Sequence, residues 1–244
     1  MTALSVNLNK IALLRNSRGR DYPNVLQYAQ KLLAMGVDGI TVHPRQDERH
    51  ATRKDTRELA NLIKHHPSAE FNVEGFPSES FMALIAETKP DQCTLVPDGP
   101  DQLTSDHGWD LHQHATEVTT LAQQLNHMNV RCSVFLDPDL EQVRLAAQCG
   151  VDRIELYTES YAQAYGQDNQ HEVLARYREA TKLATSLGLG VNAGHDLDLH
   201  NLKDFLTIPD ILEVSIGHAL TIESLEMGVG QVISRYLEIC ASAA

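Results

Sequence analysis

With 244 residues, 42% of them hydrophobic, the chain is long enough to bury a barrel-sized core and too apolar to stay disordered. A net charge of −13 argues against nucleic acid or an anionic membrane as a bulk partner, so local clusters of Arg and His, which oppose that sign, are informative. The apolar runs are short and broken by charge, leaving no membrane span, and MTALSVNLNK lacks the marks of a signal peptide; the expected location is the cytoplasm.

Along the chain a short apolar run, a polar turn and a longer amphipathic stretch recur. A first strand is read at 4–8 (LSVNL), followed by a helical pattern at 25–36. A second at 39–43 (GITVH) precedes a helix at 56–66, and a third at 70–74 (EFNVE) precedes one at 79–89. The fourth, 92–96 (QCTLV), leads into the Gly- and Pro-rich loop PDGPDQLTSDHGWD, read as a lid that excludes water, and then a helix at 115–128. Strands at 132–136, 153–157, 189–193 and 212–216 are followed by helices at 140–150, 172–188, 199–208 and 221–241. The stretch 160–171 leaves room for an extra short helix.

Gly36, Gly150 and Gly188 stand where a C-terminal cap releases a helix into the next strand. Eight strands alternating with helices imply parallel pairing and a closed (β/α)8 TIM barrel in one domain, 1–244. A doubly wound open sheet is the alternative, but no GxGxxG follows any strand. The four cysteines, Cys93, Cys132, Cys149 and Cys240, form no CxxC pair, so neither a disulfide nor a zinc site is expected.

Chemistry in such a barrel sits at the C-terminal strand ends. Those ends supply Asn7, Asn9, Lys10, Arg15 and Arg18; then His43, Arg45, Arg49 and His50; then Glu74. Thr104 lies in the lid loop, followed by Asp137, Glu155, Asn192 and His195, and finally Ser215, Gly217 and His218. A carboxylate between imidazoles is a natural general base, and imidazoles take and return protons near neutrality. Two anion sites follow: one from Arg45, Arg49 and His50, another from Gly217 and His218 at the start of the last helical region, with Arg18. Competing readings are ordinary ones: Arg49 pairing with Asp47 or Glu48, and Arg15 and Arg18 as salt-bridged surface. A His/Glu/His zinc site and a Lys10 Schiff base stay open on residue types, although NLNK offers no HxH pair.

The segments VNLNKIALLRNSRG, DGITVHPRQDERHA, NVEG, AETKPDQCTLVPD, SVFLDPD, IELYTESYA, SLGLGVNAGHDL and VSIGHA, in this order, resemble the pyridoxine 5′-phosphate synthase family nearly end to end. The resemblance implies a barrel with extra helices that forms a large homo-oligomer such as an octamer, without metal or redox cofactor. It implies condensation of 1-deoxy-D-xylulose 5-phosphate with 3-amino-2-oxopropyl phosphate, closing a pyridine ring with release of phosphate and water. By the family pattern His43 and Glu74 are proton acceptors and His195 the proton donor. Asn7, Arg18, Gly217, His218 and Asp196 would hold the aminoketone phosphate; Arg45, His50 and Thr104 would hold the ketose phosphate.

Two departures stand out. Many members read NIDH where this chain has NLNK, so Asn9 keeps a hydrogen bond but is no base, and Lys10 adds a fixed charge suited to an anion. Where the family often has Gly, this chain has Asp196, which is strained if the backbone there needs φ > 0. Alternatives to the synthase are a metal-free phosphosugar isomerase or epimerase, and a catalytically silent phosphate-ligand binder on the same barrel.

Overall fold

The computed structural model describes residues 1–99 and 105–243. Eight parallel strands close into a barrel in chain order. They are β1 (Ala3–Asn7), β2 (Gly39–Val42), β3 (Glu70–Gly75), β4 (Gln92–Leu95), β5 (Arg131–Leu136), β6 (Arg153–Tyr157), β7 (Gly190–Gly194) and β8 (Ile211–Ile216). The helices are α1 (Asn9–Asn16), α2 (Val25–Ala34), α3 (Arg53–Ile63), α4 (Glu79–Thr88), α5 (Leu111–His127) and α6 (Leu140–Cys149). They continue with α7 (Glu159–Ala164), α8 (Gln170–Ser186), α9 (Leu202–Phe205), α10 (His218–Met227) and α11 (Val229–Ala241). This is the (β/α)8 barrel that the alternating pattern predicts. Among the described residues no helix is long and apolar enough to cross a membrane.

The strands alternate, and the apolar side faces out. Leu4, Ile40, Phe71, Leu95, Val134 and Ile154 are fully buried against the helical layer. Withdrawing each from water contributes about 2 kcal/mol. The inward side is polar: Ser5 and Thr41 hydroxyls meet at 2.8 Å, Thr94 donates to Asn72 at 3.1 Å, and Asn192 donates to Gln92 at 3.4 Å. The main apolar core is therefore the shell between sheet and helices, and a hydrogen-bonded polar column fills the barrel.

Local signals explain the helix ends. Thr52 and Asp55 form a reciprocal capping box on α3, and Ser78 and Asp139 cap α4 and α6. Gly36, Gly150 and Gly188 all take positive φ, as their capping positions require. Two expectations change. Residues 9–16, to which the sequence pattern assigns no helix, are helical, with Ile11 and Ala12 buried. The single helix expected over 221–241 is two, broken at Gly228, whose φ of 85° ends α10 and starts α11. The extra short helix forms as α7, which begins at Glu159 and runs into the stretch 160–171 where room for it was expected.

At the N-terminal end, here the floor, each of three aspartates ties one strand to the next. Asp38 accepts the Leu4 N–H, Asp91 the Phe71 N–H and Asp152 the Cys132 N–H, each at 2.8 Å. The floor is thus stapled, and the mouth is left to carry the site.

Candidate active site

At the mouth, a cavity of about 380 Å³ receives side chains from β1, β2, β3, β6, β7 and β8 and the loops that follow them. His43, Glu74 and His195 all line it, although they are far apart in sequence. So do Asn7, Asn9, Lys10, Arg45, His50, Asp196, Gly217 and His218. Arg18 does not; it lies exposed on the turn after α1. Thr104, and with it part of the lid loop, falls outside the described residues.

The β1 end is a set of hydrogen bonds. Asn7 donates to Glu74 Oε2 at 3.3 Å, while its Oδ1 accepts the Asn9 N–H at 2.9 Å. Asn9 Oδ1 in turn accepts the His43 backbone N–H at 2.9 Å. A carboxylate would accept that bond equally well, so an Asn here preserves the placement of β2. Lys10 has no hydrogen-bond or ion-pair partner among the described residues.

His43 is 6% exposed, and burial, followed by the cations of Arg45, His50, His195 and Arg49, drives its pKa well below the usual imidazole range. It is a neutral ring at pH 7, able to accept a proton. His50 lies 6.0 Å from it, ring to ring, and burial with Arg45 and Lys10 brings it down to about 4. Arg45 pairs with Asp98, which also accepts from Ser105 at 2.7 Å. Arg49 pairs with Asp47 at 2.7 Å, as its surface reading anticipates, and lines a neighbouring hollow, not this cavity. Arg15 grips Asp55 with contacts of 2.5 and 2.8 Å and is structural.

Glu74 is buried, and desolvation, then the charges of Glu155, Asp98 and Glu213, raises its pKa far above the carboxylate norm. That brings a carboxylate toward the range in which a base works best near neutrality. Glu155, 3% exposed, is pushed up to about 8 by burial and by Glu213, and its Oε2 has no hydrogen-bond partner among the described residues. Gly194 makes room for it: a Cβ there would stand 2.4 Å from Glu155 Oε1.

His195 and Asp196 follow β7 with φ of 74° and 48°, two consecutive left-handed residues without glycine. Thr158 holds this turn by donating to the carbonyls of Gly194, at 2.7 Å, and His195, and Asn201 donates to the Asp196 carbonyl at 2.9 Å. The imidazole packs against Phe135 and Tyr157, with ring centroids at 5.6 and 5.4 Å. Burial lowers its pKa against the pull of Asp196, Asp98 and Glu159, and Lys10 lowers it further. Across the cavity, Gly217 caps α10, so the unpaired N–H groups of its first turn stand at the wall lined by Gly217, His218 and Ala219. Asn7 crowds the Gly217 Cα so closely that a Cβ would sit 3.0 Å from its own.

Two wall residues carry no role in the sequence reading. Tyr157 donates to Glu159 Oε2 at 2.6 Å, and both line the cavity. The signal was the alternation Arg153, Glu155, Tyr157 along β6, which puts three polar-headed residues on the inward face.

The chain matches the family described as "Pyridoxal phosphate biosynthesis protein PdxJ" over residues 4–242. It is 49% identical over 237 residues to the pyridoxine 5′-phosphate synthase of Bacteroides thetaiotaomicron, covering 97% of this chain and 98% of that one. It is 47% identical over 240 residues to the enzyme of that name from Christiangramia forsetii, covering 98% and 99%. Among solved structures it superposes on 3-hexulose-6-phosphate synthase from Salmonella typhimurium with a TM-score of 0.69 at 14% identity over the full length of both chains. KGPDC from Streptococcus mutans gives 0.67 at 11% identity, covering 100% of this chain and 99% of that one. Those two likenesses speak to the fold.

Proposed function

Because the chain belongs to the PdxJ family of pyridoxal phosphate biosynthesis enzymes, we propose that it is a pyridoxine 5′-phosphate synthase that joins 1-deoxy-D-xylulose 5-phosphate to 3-amino-2-oxopropyl phosphate. The observation that carries this reading is the meeting of His43, Glu74 and His195 in one cavity between two places suited to phosphate. One is the wall of Lys10 and Arg45, with the neutral His50 as a hydrogen-bonding neighbour; the other is the N-terminus of α10 at Gly217 and His218. A phosphosugar isomerase needs a single such cradle.

The reaction is proton traffic from start to end. The aminoketone nitrogen attacks the ketose carbonyl and water leaves to give an imine. A base removes a neighbouring proton, phosphate departs, water adds, and aldol closure followed by loss of two further waters completes the aromatic ring, so that phosphate and two waters are released in all. His43, kept neutral by burial and its cationic neighbours, accepts a proton without first losing one. Glu74, oriented by Asn7, is the second acceptor. His195 has its pKa lowered, so it takes a proton released in the reaction and returns it to the departing oxygen. Lys10 and His50 hold the ketose phosphate with Arg45, and the α10 amides hold the aminoketone phosphate. Thr104 would complete the ketose set by the family pattern, whereas Arg18, exposed on the turn after α1, stands outside this cavity.

Incubation of the full chain with both substrates tests the reading. Release of inorganic phosphate together with a pyridine absorbance is expected; a chain that binds both compounds and releases neither product would overturn it.

A further inference from the structure

The cavity is divided between basic and acidic side chains. Lys10, Arg45 and His50 stand on the β1–β2 side, and Glu155, Glu159 and Asp196 on the β6–β7 side. The cationic side has its use in the phosphate of the ketose, but the acidic side has none in the scheme above. It is also built with care. Glu159 accepts from Tyr157 at 2.6 Å through one oxygen and from Gln163 at 3.0 Å through the other, which fixes the carboxylate at the rim. The Asp196 carboxylate has no hydrogen-bond partner among the described residues, and its backbone is held left-handed to place it there. Deeper on the same strand as Tyr157, Glu155 is 3% exposed and leaves Oε2 unpartnered in the cavity wall.

An unpaired acid so deeply buried is costly unless a ligand supplies the missing donor or charge. Three acids on one wall, in no ion pair among the described residues and with only the imidazole of His195 beside them, ask for a compact cation with several N–H donors. Resting on the synthase reading, we propose that Glu159, keyed by Tyr157 and joined by Asp196 and Glu155, forms a subsite for the primary ammonium of the aminoketone substrate. That substrate carries its ammonium at one end and its phosphate at the other. The α10 amides follow β8, next to β7 in the barrel, so a short chain reaches from the phosphate cradle to the acid wall. The ketone then lies between them, facing His195. The same wall rejects a second anion, so the two phosphorylated substrates cannot exchange places.

Two stable probes separate the amine from the phosphate: 3-aminopropyl phosphate and propyl phosphate, titrated by calorimetry into the full chain at pH 7. The wild type should bind the amine at least about tenfold more tightly, as one charge-assisted contact set allows. Glu159→Gln should remove most of that preference and leave propyl phosphate unchanged, with Tyr157→Phe falling between. A wild type without preference overturns the subsite, and so does a Glu159→Gln variant that keeps the preference or weakens both probes equally. Turnover with the two natural substrates is scored separately. Discrimination without turnover would retain the subsite and sink the synthase reading, whereas turnover without discrimination would do the reverse.

Discussion

At the floor of the barrel Arg131 holds Glu70 with contacts of 2.6 and 3.1 Å, and Arg153 lies 3.6 Å from Glu213 and donates to Asn192 at 3.2 Å. At the mouth, eight residues or fewer farther along the same strands and their loops, Lys10 has no such partner among the described residues. There Glu155 has an unused oxygen, and His195 and Asp196 take left-handed backbone. Both ends use the same side-chain chemistry. The floor matches its charges to each other, while the mouth, apart from the Arg45–Asp98 pair, leaves several of its polar groups for a ligand and spends folding energy to do so. A charge in a structure is informative about function when its partner is absent from the chain.

The largest expected effects break the mouth alone. His43→Ala and Glu74→Gln should each lower turnover by at least about a thousandfold, since in the proposed scheme each removes a proton carrier from the chemical step. Melting temperature should hold within about 2 °C, because neither residue closes a stabilising ion pair. A loss of turnover under about tenfold with either variant would make that side chain structural and erase the contrast between the two ends.

The reverse experiment strikes the floor. Arg153→Met strands Glu213, which is 4% exposed and already pushed up to about 7 because burial outweighs the attraction of Arg153. Loss of its cation should cost about 3 kcal/mol in chemical denaturation. Turnover at a temperature where the variant is folded should stay within about twofold. A large drop in turnover with stability intact would show that the floor participates in catalysis.

The mouth's energetic sacrifice is itself measurable through pH. Glu155 titrates at about 8 in the folded chain, above its ordinary 4.5. The folded state therefore binds this proton more tightly than the unfolded one. The resulting stability is complete below about pH 4.5 and is lost as pH rises toward 8. Glu155→Gln escapes that loss. It should match the wild type near pH 4 and exceed it by several kcal/mol, at most about 5, at pH 8.5, read by denaturant melts at the two values. An equal difference at both would mean that the acid is not held neutral by burial.

Much of this was legible in the chain before any coordinates. Eight strands and their order follow from apolar runs, and the cavity residues follow from reading strand ends as one surface. What escaped had physical reasons. Helix α1 was hidden because its polar residues, Asn9 and Lys10, serve the site while only Ile11 and Ala12 are buried in it. The break at Gly228 is one glycine in a long apolar pattern, and periodicity does not register a change of axis. Tyr157 and Glu159 went unassigned because their meaning lies in a pairing two residues apart around the end of a strand. Arg18 was read into the second anion site from its place after the first strand, and its exposed position shows how weakly a strand-end rule reaches past an intervening helix.

Asp196 gives the smallest and sharpest test. Its φ of 48° suits glycine, yet the chain places there one of the few other residues that tolerate it. If that strain is the cost of putting a carboxylate on the acid wall, Asp196→Gly must separate the two. Stability should rise by about 0.5–1 kcal/mol as the backbone relaxes. The KM for the aminoketone should rise a few-fold while that for the ketose phosphate stays put. Glycine also frees the unfolded chain, which opposes the gain, so Asp196→Asn serves as the control: it keeps the backbone tolerance, should leave stability near wild type, and should reproduce the KM change. If both variants melt lower than wild type and neither moves KM, the turn is ordinary structure and the mouth is no more strained than the floor.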